Sequence, residues 1–249
     1  IMKSIHFWNG NKSAYRQQYE LDMLKLLINV TEDNYGTVNI MEDTIDYPDA
    51  RDEGAVLENG SHLLVTVKGN AKFSGKQFIE LPFSITKQLL GQRILFAKTT
   101  NLDKFACNNQ IKNMTVGVPE TWVDAELFRQ NGYQVAERGN FDDIFHRLAN
   151  DEFDFIGFGA NEAEEIFQNR VANHYPIQMV DDVMLQYPFP LVFYINADFP
   201  ELAERLQQGL DIILDNGKFE SLYQHYFQQT EQTLALKKRR CLFLHNPFL

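Results

Sequence analysis

Residues 153–163 place two glycines beside polar side chains in an order that suits ligand binding. An apolar run ends in Gly157-Phe158-Gly159, and Asn161 and Glu162 follow. This order predicts a strand, a tight turn and a helix, which bring backbone N–H groups and a helix N-terminus to one point. A negatively charged or carbonyl-bearing ligand suits such a point, so Phe158, Asn161 and Glu162 are candidate ligand contacts. No dinucleotide fingerprint is predicted, because its third glycine would fall on Glu162.

Two tryptophans are further candidates for ligand contact. Trp8 ends the first predicted strand and Glu42 ends the second, so both are expected at the carboxyl edge of a sheet, where open α/β folds bind ligands. Trp122 lies in the first turn of a later predicted helix, and its flat ring could cover an apolar ligand face. A place in the hydrophobic core is the alternative for both Trp122 and Phe158. Asp124 is interpreted as complementing the dipole of that helix.

The loop that starts at Gly69 carries polar groups near the end of a predicted strand. Five residues separate its glycines and Gln77 replaces the Ser or Thr that binds magnesium, so a P-loop is not predicted. Lys68, Asn70 and Lys72 are candidate ligand contacts, whereas Lys76 is interpreted as an exposed surface lysine.

Neither a catalytic motif nor a metal-binding motif is apparent. The six histidines show no paired metal spacing, and no G-x-S-x-G nucleophile turn occurs. Cys107 and Cys241 are too few for a zinc site and leave one optional disulfide open. The sequence therefore predicts a protein that is not an enzyme and has no cofactor and no metal.

Charge and hydropathy narrow the class of partner. The net charge is −11, and no basic tract is long enough to follow a nucleic-acid backbone, so nucleic acid is not an expected partner. Residues 237–240 are four basic residues in a row and are interpreted as a solvated face. No apolar run reaches eighteen residues, so no membrane-spanning helix is predicted.

The periodicity of apolar residues predicts an α/β protein with two lobes. Strands are expected at 5–8, 38–41 and 62–67, with helices between them, which indicates mostly parallel sheets flanked by helices. The chain is expected to cross between lobes near Phe96 and again at Tyr187-Pro188-Phe189-Pro190. Lobe 1 would then contain 1–96 and 190–249, and lobe 2 would contain 97–189.

Several short motifs together resemble a known family. They are Leu89-Leu90-Gly91-Gln92-Arg93, Trp122-x-Asp124, Asn131-Gly132, Phe153-Asp154 with Gly159-x-Asn161-Glu162-Ala163, Tyr187-Pro188-x-Pro190, Pro200-x-Leu202-Ala203-Glu204-Arg205, Asp215-x-Gly217-x-Phe219 and Asn246-Pro247. Over most of its length the chain resembles the extracytoplasmic solute-binding proteins of the type II periplasmic-binding-protein fold, in the amino-acid-binding branch of ABC transporter receptors. The resemblance implies a two-lobed clamp with two hinge crossings, and Tyr187 at the second crossing is a further candidate ligand contact.

The same resemblance implies a function, a location and a partner. It implies a periplasmic, monomeric receptor that closes over a small solute and delivers it to a membrane permease, with a signal peptide that these 249 residues do not include. A clamp that signals to a membrane kinase or cyclase is one alternative, and a small-molecule lyase or dehydratase is another. Two expected arginines are absent, one near Asn70 and one at Phe158, so a ligand other than a simple α-amino acid is expected.

Overall fold

The computed structural model describes residues 2–249, which form two compact units. Unit 1 comprises the residues up to Lys87 and Pro190–Gln229, and unit 2 comprises Gln88–Phe189 and Thr230–Leu249. The strands, in chain order, are β1 Ser4–Trp8, β2 Asn39–Asp43, β3 Leu63–Val67, β4 Phe78–Glu80, β5 Gln92–Lys98, β6 Thr115–Val118, β7 Gln134–Glu137, β8 Ile156–Gly159, β9 Ile177–Met179, β10 Val183–Gln186, β11 Leu191–Asn196 and β12 Arg240–Phe243.

Helices separate most of these strands. They are α1 Ala14–Asn29, α2 Glu32–Tyr35, α3 Ala50–Gly54, α4 Asn108–Lys112, α5 Asp124–Gln130, α6 Ile144–Ala149, α7 Ala163–Ile166, α8 Pro200–Asp215, α9 Lys218–Phe227 and α10 Thr230–Leu234. Short 3-10 helices lie at Ala71–Phe73, Leu89–Gly91, Thr99–Ala106 and Leu236–Lys238, and a π-helical turn at Phe167–Val171 continues α7. The helix predicted after the glycine turn is therefore a short α-helix that ends in a wider turn.

Unit 1 contains a five-stranded sheet in the order β2-β1-β3-β11-β4. Strand β1 pairs in parallel with both β2 and β3, whereas β11 is antiparallel to its neighbours β3 and β4. The carboxyl ends of β1, β2 and β3 consequently meet at one edge of the sheet. The predicted β-α-β-α-β succession of the first lobe is confirmed.

The core of unit 1 forms where apolar stripes of helices face this sheet. Helix α1 buries Tyr19, Met23 and Leu27, and its N-cap residue Ser13 accepts a side-chain hydrogen bond from the Arg16 N–H. Helix α8 starts with Pro200 and buries an apolar face of Leu202, Leu206, Leu210 and Ile213. Each fully buried aliphatic side chain contributes about 1.5–3 kcal/mol.

Unit 2 contains a main sheet in the order β12-β10-β5-β8, and β9 also pairs with β5. Strand β5 is antiparallel to β8, β9 and β10, so the expected mostly parallel sheet is wrong for this unit. Strand direction was not accessible from the sequence, because a buried strand shows the same apolar run in either direction. Strands β6 and β7 form a separate parallel pair, and Val116 of β6 bridges to Phe155. The α/β architecture itself is confirmed.

The C-terminal segment belongs to unit 2, whereas the sequence placed it in lobe 1. Strand β12 pairs in parallel with β10, from Val183 opposite Arg240 to Gln186 opposite Phe243. The Arg239 guanidinium donates to the carbonyls of Leu234, Val180 and Val183, and Arg240 donates to the Phe105 carbonyl at 2.7 Å. These two arginines therefore fix the tail to its own unit instead of forming a solvated face.

The lobe bounds also differ from the expectation at the first crossing. Residues 88–96 were expected in lobe 1 but make their contacts within unit 2, because β5 is the central strand of the unit 2 sheet.

Both cysteines are free, so the optional disulfide is not formed. Among residues 2–249, no helix has both the length and the apolar character needed to cross a membrane.

Candidate functional site

The carboxyl edge of the unit 1 sheet holds a hydrogen-bonded group of polar side chains that begins at Asn9. The Asn9 N–H extends the β1–β2 ladder by donating to the Asp43 carbonyl at 2.7 Å. Its side-chain Nδ2 donates to the Gln17 carbonyl at 3.0 Å and to Glu42 Oε2 at 2.8 Å. Its Oδ1 is buried and has no hydrogen-bond partner among residues 2–249. An unpaired buried acceptor leaves room for a donor from a water or a ligand.

Asn11 ties the loop after β2 to the end of β1. Its side chain accepts a hydrogen bond from the Tyr47 N–H at 2.7 Å and donates to the Tyr47 carbonyl at 2.7 Å and to Glu53 Oε1 at 2.5 Å. Its backbone N–H donates to Asp46 Oδ1 at 2.7 Å. The backbone φ angle of Asn11 is 55°, which asparagine tolerates better than most residues. The loop at 43–47 is therefore hydrogen-bonded to this edge through Asp46 and Tyr47.

Beneath this edge lies a buried ionic cluster of Lys12, Arg16 and Glu20. Lys12 Nζ lies 2.7 Å from Glu20 Oε1, and Arg16 Nε lies 2.8 Å from Glu20 Oε2. Burial opposes the charged carboxylate, but Arg16 and Lys12 outweigh it, so the pKa of Glu20 is lowered. Burial also lowers the pKa of Lys12, despite the raising effect of Glu20. The cluster is enclosed and supports the loop that carries Asn9 and Asn11.

The predicted cationic contacts are paired within unit 1. Lys72 Nζ lies 3.1 Å from Glu53 Oε2, and Lys68 Nζ lies 3.8 Å from Glu80 Oε2. Asn70 is buried and forms the cap of the short helix at Ala71–Phe73, where its Oδ1 accepts from the Lys72 N–H at 3.1 Å. Lys72 and Asn70 are therefore engaged in the fold, and Lys68, whose side chain is 48% exposed, is the most accessible of the three.

The structure separates the roles of Trp8 and Glu42. Trp8 is buried in a cluster with Val56, Leu57, Leu64, Phe73, Val192 and Tyr194, and its indole N–H donates to the Ile45 carbonyl at 2.8 Å. It is therefore a core residue of unit 1, although it ends β1 at the carboxyl edge, as the sequence predicted. Glu42 is exposed, as expected for a ligand contact.

Three carboxylates at the end of β2 and in the loop that follows it have no cationic partner. Glu42 accepts from Asn9, Asp43 accepts from the Ile45 N–H at 2.9 Å, and Asp46 accepts from Asn11. Within the described part of the chain, no Lys or Arg lies within ion-pair distance of these three side chains. An excess of uncompensated carboxylates raises the local concentration of cations, so this edge favours a positively charged ligand.

Unit 2 contains a second buried polar group, formed by Arg93, Asp124 and Tyr187. Arg93 Nη2 lies 3.2 Å from Asp124 Oδ2, and the Tyr187 hydroxyl donates a short hydrogen bond to the same oxygen. Burial raises the pKa of Tyr187, so it stays a neutral donor. Burial opposes the charge on Arg93, but Tyr187, Asp124 and Glu162 outweigh it and raise its pKa. Asp124 thus binds side chains across the unit instead of mainly serving the helix dipole.

Phe158 lies in the aromatic core of unit 2. It is 1% exposed and its ring contacts those of Phe96, Trp122, Phe141 and Phe145 at centroid distances of 5.2–6.1 Å. Phe158 thus has the burial and ring contacts of a core residue, the alternative named from the sequence, and its contact with a ligand stays a prediction. Trp122 is half-buried and stacks on Phe141 with an interplanar angle of 18°.

The turn after β8 brings Asn161 and Glu162 into a buried position. Both are less than 10% exposed, and Asn161 Oδ1 has no hydrogen-bond partner among residues 2–249. Gly159 permits this turn, because a Cβ there would lie 2.4 Å from Asn161 Oδ1 and 2.9 Å from the Leu90 Cα. The adjacent α7 has only four residues and is too short to supply a strong dipole.

Two further features bear on the chemistry. A cavity of about 10 Å³ beside Trp122 and Asp124 is close to the smallest that holds one water molecule. The described residues contain no group of three or more His, Cys, Asp or Glu side chains placed to hold a metal ion.

Sequence reasoning missed the groups that organise both units. Asn9, Asn11 and Lys12 were not among the candidate residues, and Arg93 appeared only as part of a motif. Glu20 carried a signal that could have been used, since it lies four residues after Arg16 and on the same face as Leu24 and Leu27 of the buried stripe. A charged residue within an apolar stripe indicates a buried ion pair.

Comparisons with solved structures identify the architecture. An ancestral arginine-binding protein bound to arginine is 15% identical, with a TM-score of 0.65, and the match covers 91% of this chain and 99% of that one. An arginine transport system periplasmic binding protein from Legionella pneumophila is 13% identical, with a TM-score of 0.65 over 91% and 100% of the two chains. The chain has the type II periplasmic-binding-protein fold.

The same fold also occurs in a signalling protein. A histidine kinase sensor domain with similarity to periplasmic binding proteins is 14% identical, with a TM-score of 0.64, and the match covers 90% of this chain and 96% of that one. No protein-family model and no curated protein sequence matches the chain. The periplasmic-binding-protein fold is thus shared with both transport and sensor proteins.

Proposed function

We propose that this protein is an extracytoplasmic, non-catalytic solute receptor that binds a small cationic solute and delivers it to a membrane transporter. The observation that carries the proposal is the set of three unpaired carboxylates at the carboxyl edge of the unit 1 sheet, Glu42, Asp43 and Asp46. Structures with this fold include arginine-binding proteins and L-glutamate complexes, so the carboxylates and not the fold carry the choice of a cationic solute.

A cationic group, rather than an α-carboxylate, is the proposed recognition element. The lysines that could hold a carboxylate, Lys68 and Lys72, are each paired with a glutamate of the same unit. Ligand carboxylate groups are usually held by a bidentate arginine, and the loop at 68–76 contains none. Amines and guanidines are therefore the proposed ligands, with or without a carboxylate.

Isothermal titration calorimetry with four solutes tests this proposal. L-Arginine, its decarboxylated analogue agmatine, and putrescine are expected to bind, and L-glutamate is not. In Asp46→Asn, the Oδ1 can still accept the Asn11 hydrogen bond while the charge is lost, and affinity should fall about 10-fold, equivalent to about 1.4 kcal/mol.

Asp211→Asn on α8 is the matched control, because it removes the same charge from an exposed helical position of unit 1. It should leave the affinity unchanged. Tight binding of L-glutamate with no binding of the three cations would refute the cationic assignment. Chemical conversion of any bound solute would refute a non-catalytic receptor.

A sensor is the second candidate, because a histidine kinase sensor domain shares the fold at a TM-score of 0.64. The two functions require different membrane partners for the same liganded protein. Crosslinking of the liganded protein in membranes of its source cell, followed by mass spectrometry, distinguishes them. A permease subunit among the products supports transport, and a kinase or cyclase supports sensing.

A further inference from the structure

A second ligand site is suggested by a groove at the opposite edge of the unit 1 sheet. The groove has a volume of about 800 Å³, and residues at the start of β1 and at the start of α8 line it. Tyr35, Val38, Phe199 and Leu202 contribute apolar surface to it. A groove of this size lies within the range that binds small molecules.

Arg205 supplies an incompletely paired cation to this groove. The residue is 6% exposed, and its Nε donates to Thr31 Oγ1 at 2.8 Å. Its Nη2 donates to the carbonyls of Ile28 at 3.0 Å and Gly36 at 2.9 Å. Among residues 2–249, neither a carboxylate pairs with the guanidinium nor an acceptor engages Nη1. Nη1 is therefore the donor that remains for a ligand.

The start of α8 adds a second donor beside Arg205. Its N-cap residue is Phe199, whose side chain cannot accept a hydrogen bond, and Pro200 has no N–H. The Glu201 N–H has no acceptor in the described part of the chain, because it lies in the first turn of the helix and no side chain caps it. An uncapped start of a sixteen-residue helix attracts anions through its dipole.

The ionised side chains of the groove limit the charge of the ligand. Lys3 and Arg205 are positive, and Asp198 and Glu201 are negative, so the lining has no net charge. Burial lowers the pKa of Arg205 and outweighs the raising effect of Glu32 and Tyr35. The groove therefore suits one anionic group on an apolar body and not a polyanion.

We propose that this groove binds a small molecule in which a single oxyanion group, a carboxylate or a phosphate, is attached to an apolar body. The oxyanion contacts Arg205 Nη1 and the start of α8, and the apolar body packs on Tyr35 and Phe199. The proposal does not depend on the function proposed for the carboxyl edge, which lies at the other end of the strands.

NMR titration of the full chain with benzoate and phenyl phosphate tests the proposal, with benzamide as the neutral analogue. Shifts of the Phe199 and Leu202 amide signals are expected with the two anions and not with benzamide. Arg205→Lys keeps the charge but loses the planar fork, so affinity should fall at least about 10-fold. Arg51→Lys, at an exposed position of α3, is the matched control and should change nothing.

A second variant keeps the test decisive if Arg205→Lys does not fold. Glu201→Gln removes a groove carboxylate at an exposed position and should strengthen anion binding about threefold. Equal binding of benzamide, shifts confined to residues outside the groove, or an unchanged affinity in both variants would overturn the proposal. Inorganic phosphate binding as tightly as phenyl phosphate would overturn the role of the apolar walls. None of these results would alter the Asp46→Asn outcome for the carboxyl edge.

Discussion

Replacement of Glu20 by glutamine should destabilise unit 1 strongly. Glu20 is 0% exposed and accepts hydrogen bonds from Lys12 Nζ at 2.7 Å and from Arg16 Nε and Nη2 at 2.8 and 3.2 Å. Glutamine fills nearly the same volume but removes the negative charge. Lys12, whose side chain is only 2% exposed, would then lose its counter-ion without reaching water.

The expected cost follows from this burial. Breaking a buried ion pair by removing one partner costs about 3–5 kcal/mol, because the other charge stays buried and uncompensated. Arg16 can turn towards water, since its side chain is 14% exposed. The loss of stability therefore comes mainly from Lys12, which stays buried. The exposed pair Arg147–Asp143 at 3.3 Å, by contrast, should contribute about 0–1 kcal/mol.

Urea unfolding followed by circular dichroism measures the effect. With an m-value of about 2 kcal/mol per M, a loss of about 4 kcal/mol moves the unit 1 midpoint by about 2 M. Asp143→Asn is the control for an exposed ion pair and should move the urea midpoint of unit 2, where it lies, by less than about 0.5 M. The double variant Lys12→Met/Glu20→Leu should recover most of the stability, because both charges are removed together.

The stability that Glu20 contributes should depend on pH in a definite direction. The pKa of Glu20 is lowered in the fold, where Arg16 and Lys12 outweigh the effect of burial. Its contribution to stability is therefore complete above the unfolded pKa of about 4.3 and is lost as the pH falls through the lower folded pKa. The difference in the free energy of unfolding between the parent protein and Glu20→Gln should therefore become smaller at acidic pH. A midpoint shift below about 0.5 M at pH 7 would refute the buried ion-pair reasoning.

Two further predictions concern the turn around β8. Phe158→Arg should unfold unit 2 or lower its free energy of unfolding by at least about 4 kcal/mol, because a charge would replace a buried ring. Phe158→Leu should lower it by about 1–2 kcal/mol. A stable Phe158→Arg protein with altered ligand preference in calorimetry would contradict the assignment of Phe158 to the core. Gly159→Ala should lower the free energy of unfolding by about 1–3 kcal/mol in thermal unfolding, since its Cβ would lie 2.4 Å from Asn161 Oδ1. In Gly157→Ala the nearest atom to the new Cβ is 3.6 Å away, so this variant should be tolerated. Equal melting temperatures for the two variants would show that the turn can relax.

The sequence predicted local elements well and long-range partners poorly. The strands expected at 5–8, 38–41 and 62–67 follow from the local spacing of apolar residues, and each overlaps an observed strand, β1, β2 or β3. The sequence did not show that Lys72 pairs with Glu53, because Glu53 lies 19 residues earlier and periodicity does not report contacts at that separation. The tail was assigned to the wrong unit for the same reason, since β12 pairs with β10 more than 50 residues away.

The sequence by itself determined the α/β class, the order of most strands and helices, and the resemblance that led to the solute-binding fold. Those properties depend on neighbouring residues, on turn residues and on short motifs, which can be inspected without coordinates. Only the tertiary structure decided that Phe158 and Trp8 are core residues and that the lysines after β3 are paired. It also decided that Glu42, Asp43 and Asp46 remain without a cationic partner. Burial and ion pairing depend on which distant segments meet, and that is decided when the sheet and the helices pack.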